Sequence, residues 1–86
     1  MRFSHLYDLA VALSPRAARI AAMLLVHEND MPDDLRRSLS IALAASAKGN
    51  AATELKWTPD NDPDAAAAAR FVAACTAANR AARSGP

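Results

Sequence analysis

Glycine is almost missing from this 86-residue chain, and Gly49 is the only one outside the tail. Phosphate-cradling loops and dinucleotide fingerprints, which need several glycines at fixed spacing, are therefore excluded. Cysteine is equally scarce: Cys75 stands alone, so an internal disulfide and a multi-cysteine zinc site are both ruled out, and a reducing compartment fits. Net charge is lacking too. Ten Lys and Arg against nine Asp and Glu leave +1, which gives the molecule no strong field toward nucleic acid, anionic lipid or an acidic substrate. The longest apolar run, Ile20 to Val26, is seven residues, far from the roughly 20 of a membrane span. Met1-Arg2 before an apolar stretch ending Ala12-Leu13-Ser14 has the outline of a signal peptide, but Asp8 interrupts it. The expectation is one cytoplasmic domain over 1–83 with a frayed tail at 84–86, no membrane segment, no cofactor and no small-molecule substrate.

What the chain has in abundance is alanine, 23 residues of it, while the strand formers Val, Ile and Thr are few. Alanine loses no side-chain entropy in a helix, so the composition predicts an all-α fold. Apolar residues at Phe3, Leu6, Leu9, Ala10 and Leu13 recur at three- and four-residue steps and predict an amphipathic helix over about 3–13. Ser14-Pro15 is a cap followed by a first-turn proline, opening a second helix over 15–28. Its stripe is Ile20, Met23, Leu24 and His27, with Leu25 and Val26 pointing away. A helix so apolar all round belongs in the middle of a bundle or against another chain. A third helix, 32–47, has Pro32 in its first turn and Asp33 and Asp34 at its positive end. It buries Leu35, Leu39, Ala42, Leu43 and Ser46 and stops at Lys48-Gly49-Asn50, where Gly49 suits a left-handed cap. Residues 51–57 fit either a short helix or a connector, the helix being preferred. Asp62 as cap and Pro63 as first residue open a last helix over 63–82, with Phe71, Cys75, Ala78 and Ala82 on one side and Ala68 and Val72 beside them. The reading is a small bundle of four main helices.

The constellations that carry chemistry are incomplete. Asp60-Asn-Asp62-Pro-Asp64 resembles the opening of an EF-hand calcium loop, but the sixth position is Ala65 where that family has Gly and the twelfth is Phe71 where it has Glu. The same carboxylates suit the start of a helix without any ion. His5, His27 and Cys75 have no metal-ligand spacing, so no metal is expected. Cys75 lies on an apolar stripe, where a thiol becomes a weaker acid and inert. The paired acids sit in turns rather than in a cleft that raises one pKa, so no catalytic residue is assigned and the protein is expected not to be an enzyme.

Two binding readings remain. Arg70, Arg80 and Arg83 give residues 65–86 a charge of +3, the footing for a small DNA-binding regulator. Against it, Glu28, Asp30, Asp33 and Asp34 crowd the junction where a recognition helix would meet phosphates, and that junction has no glycine. The preferred reading is a non-enzymatic protein that works through protein–protein contacts or self-association, as an adaptor, an inhibitor or an accessory subunit of a larger enzyme. Its expected contact surface is the small-residue face of the last helix, Arg70, Ala73, Ala77 and Arg80, with Trp57 and the acidic turn Asp33-Asp34 as secondary candidates. Alanine also fills exposed helix positions at little cost, and Trp57 beside Leu55 can equally cover the open end of the bundle.

Overall fold

The computed structural model describes residues 3–49, 58 and 60–84. The predicted short helix at 51–57 lies outside them. Four helices follow in order: α1 (Ser4–Ala12), α2 (Pro15–Val26), α3 (Asp33–Ala47) and α4 (Pro63–Ser84). The described residues hold no strand, and no helix among them is long and apolar enough to cross a membrane.

Local chemistry sets most of the boundaries. Ser14 caps α2, its Oγ accepting the Ala17 N–H at 3.2 Å, and Pro15 occupies the first helical position, where no donor is needed. Asp62 caps α4 in the same way, accepting from the N–H groups of Asp64 at 3.0 Å and Ala65 at 3.3 Å. Pro32 stands one position earlier than expected, as the residue before α3 rather than within it, and no side chain caps that helix. The left-handed stop of α3 begins at Lys48 (φ 51°, ψ 42°), before Gly49 (φ 79°), so a β-carbon-bearing residue takes the conformation expected of the glycine. Helix α4 continues to Ser84, past the expected end at 82, and its last turns carry Arg80 and Arg83, which face Asp30.

Helix α2 packs against α3 and α4, and α1 packs against the same two helices on the opposite corner. The α2–α3 turn is short, so those helices are antiparallel. Helices α2 and α4 run parallel: Ser14 Oγ donates to Asp64 at one end, and Asn79 donates to the Asp30 carbonyl at the other. The core contains Leu6 and Ala10 of α1, Leu25 of α2, Leu39 and Leu43 of α3, and Phe71 and Cys75 of α4.

The central place expected for α2 is observed, but its buried face is not the expected one. Ala17, Ala18, Ile20, Ala21 and Leu25 are buried, while Met23 and His27 of the expected stripe are exposed and Leu24 is only half-buried. Two neighbours must be met at once, and alanines let both approach closely, so the small residues face inward and Val26 is left outside. Leu9 of α1 is a further correction: expected in the core, it is 44% exposed. In α3, Ala47 replaces Ser46 as the buried residue of the last turn.

Candidate functional site

Charged side chains are concentrated at two ends of the α2–α4 pair, and at both ends they are satisfied within the chain. At the first, the Arg16 guanidinium forms a two-pronged bond with Asp62 (2.7 and 2.6 Å) and a third with Asp64 at 3.0 Å. Such forked pairing is the strong form of charge-assisted hydrogen bond. Arg16, assisted by the helix N–H groups that Asp62 caps, holds the Asp62 carboxyl down to about 2, and the same contacts raise the Arg16 pKa. The loop that resembles a calcium site thus has two of its carboxylates committed to a guanidinium and a helix N-terminus.

At the second end, Asn79 is 2% exposed and its Nδ2 donates to the Asp30 carbonyl at 2.5 Å. Arg80 donates to Asp30 Oδ2 through Nε (3.2 Å) and Nη2 (2.9 Å), and Arg83 stands 3.9 Å from Oδ1. Arg36 ties down the adjoining turn by donating to the carbonyls of Glu28 and Met31. The sequence reading passed over Asn79. Its signal was position, one helical turn beyond Cys75 on the buried stripe, where a polar side chain needs a partner.

The open feature of the surface is α1 itself. A nine-residue helix is only about 13 Å long, and it fills one corner of a bundle whose other helices are longer. Among the described residues, grooves border it on both sides. Two lie against α3, one lined by Phe3, Tyr7, Pro32, Asp34, Leu35 and Ser38, the other by Val11, Leu13, Pro15, Ala45, Ser46 and Lys48. Another, of about 250 Å³, runs between α1 and α4 and is lined by Leu9, Ala12 and Leu13 on one wall and Ala67, Arg70, Phe71 and Ala74 on the other. Its origin is in the sequence: α4 turns positions 67, 70, 71 and 74 toward α1, and two of these are alanines too short to reach Leu9. That is why Leu9 is uncovered.

The expected contact residues separate on this frame. Arg70 stands at the lip of the α1–α4 groove and, among the described residues, has no acidic partner. Ala73 and Ala77 are exposed but do not line it. Arg80 is engaged by Asp30. Asp33 pairs with Arg36 at 3.3 Å, and Asp34 accepts from the Leu35 N–H and borders a groove on the α3 side. Trp57 lies outside the described residues. Leu9, Leu13, Phe71 and Ala74 were missed as a group because they meet only across two helices.

The arrangement offers little reactive chemistry. Burial pushes the Cys75 thiol up to about 12, where it is neither a nucleophile nor a ligand near neutral pH. His5 and His27 are exposed on α1 and just beyond α2. Among the described residues, no three metal-ligating side chains converge. Comparison with protein-family models, with curated proteins and with solved structures finds no match to the chain.

Proposed function

We propose that the protein is a non-enzymatic protein-binding module, an adaptor, inhibitor or accessory subunit, and that it makes contact through the α1–α4 side of the bundle. The observation that carries this reading is the α1–α4 groove, in which Leu9 is left partly bare beside Leu13 and Phe71. Leu9 is one of five large apolar residues left exposed among the described residues, with Val11, Met23, Val26 and Ile41, and it lies in a groove beside two further apolar side chains, the clustered exposure that marks a contact site. The groove is partly open to solvent and, at about 250 Å³, falls below the roughly 300–1,000 Å³ usual for small-molecule pockets. A nucleic-acid role has weaker support, because Arg80 and Arg83 face Asp30 and do not form a free basic patch.

The test places a photoreactive amino acid at Leu9 and, as a control, at the exposed Arg37 of α3, in extracts of the native host. A single cross-linked protein from position 9, absent from position 37 and lost when Ala74 is changed to Leu, is the expected result. Equal labelling from both positions, or none from position 9, refutes the assignment. Sedimentation across concentration separates a foreign partner from a second copy of the chain.

A further inference from the structure

Charge and shape in the α1–α4 groove narrow the partner. Around the bundle, Arg16 is matched by Asp62 and Asp64, Arg36 by Asp33, and Arg80 and Arg83 by Asp30. Arg70, like Arg37 and Lys48, meets no described acid, but it alone is a charged group among the lining residues of the α1–α4 groove. An apolar trough with a guanidinium at its edge is complementary to an apolar side chain flanked by a carboxylate. The two walls are helices, and the α4 wall presents the i, i+3, i+4, i+7 positions that interlock with a third helix laid alongside. No strand edge exists among the described residues to recruit an extended peptide. An engineered apolar cavity of roughly 150 Å³ admits benzene, so the space here suits one aromatic or two branched aliphatic side chains.

We infer that the partner lays an amphipathic helix in this groove, seating one or two large apolar side chains between Leu9, Leu13 and Phe71 and setting a carboxylate against Arg70. The inference rests on the groove being the contact surface and goes further in naming what fills it. The exposed length of α1 limits the bound segment to about two or three helical turns.

The probes are three stapled helical peptides of about 14 residues, a length at which an unconstrained helix is marginal. One carries Leu at i, i+3 and i+4 with flanking Glu; the second has Lys for Glu; the third has Ser for Leu. Binding is read by fluorescence anisotropy with the full chain. The Glu peptide is expected to bind about tenfold more tightly than the Lys peptide, and Arg70→Glu to reverse that order. Arg70 is exposed, so the charge reversal leaves the core intact, which circular dichroism checks. Ala74→Leu is expected to abolish binding of both Leu-bearing peptides. If Glu and Lys peptides bind equally and Ala74→Leu stops both, the groove remains the contact surface and the acidic partner is wrong. If no peptide exceeds the Ser peptide, a helical occupant is wrong, and cross-linking from position 9 then decides separately whether the groove is a contact surface at all.

Discussion

Ala74→Leu should make the protein more stable while removing its proposed binding surface. Leucine brings three more carbons than alanine, and each buried CH₂ contributes about 0.8 kcal/mol. Complete burial would add about 2.4 kcal/mol, but the α1–α4 groove is open on one side, so roughly half of that, about 1 kcal/mol, is expected. For a domain of this size 1 kcal/mol corresponds to a rise in Tm of about 4–8 °C. Urea and thermal unfolding followed by circular dichroism measure the gain, with an unchanged urea slope marking unaltered compactness. Ala73→Leu on the neighbouring exposed face is the control and should stay within about 0.5 kcal/mol of the parent. Ala67→Leu, about 10 Å further along α4, should add its own increment nearly independently. A loss of about 1 kcal/mol or more at position 74 would mean the site is already packed and the leucine strained, and the groove would no longer serve as a binding surface. A gain accompanied by lost cross-linking is the pattern of a protein that keeps an unfilled surface for use.

Three further outcomes are expected. Asn79→Ala removes a buried side chain's hydrogen bond and leaves the part-buried Asp30 carbonyl without its donor, and should cost about 1–3 kcal/mol in urea unfolding, whereas Asp30→Ala keeps the carbonyl and removes only exposed ion pairs, so its loss should be much smaller. Asp62 has a lower pKa folded than unfolded, so its ionised form favours folding above the ordinary value of 3.8, and that contribution is lost as pH falls from there toward about 2; Arg16→Gln should flatten this acid limb in a Tm-against-pH series, and an unchanged limb would show that Arg16 is not what holds Asp62 ionised. Cys75 should resist a thiol reagent such as 5,5′-dithiobis(2-nitrobenzoate) in native buffer and react fully in guanidinium, since burial both shields the sulfur and keeps it protonated; rapid native labelling would contradict its place in the core.

Much of this molecule was legible one residue after another. The helix starts at Ser14-Pro15 and Asp62-Pro63 were readable because a cap and a first-turn proline act within three or four residues of themselves. The number of helices followed from alanine and from three- and four-residue spacing. The buried stripes of α3 and α4 were largely readable as well, because one face of each is clearly richer in large apolar groups. Helix α2 resisted, since its apolar residues go nearly all the way round and periodicity cannot rank the faces. Arg70 was singled out with Ala73 and Ala77, its neighbours along one helix, whereas Leu9 and Leu13, which share its groove, come from another part of the chain.

By itself the order of amino acids determined that the chain is helical and where most helices begin, because propensity and capping are energies between groups a few bonds apart. It determined too that Cys75 would lie in the core, since an apolar stripe on a helix has to be buried somewhere. Tertiary packing alone decided that Arg16 would close on Asp62, 46 residues away, that Asp30 would hold the end of α4, and that Leu9 would be left facing two alanines. Those contacts depend on which helices stand side by side, and that choice comes from the summed burial of the whole bundle rather than from any segment of it.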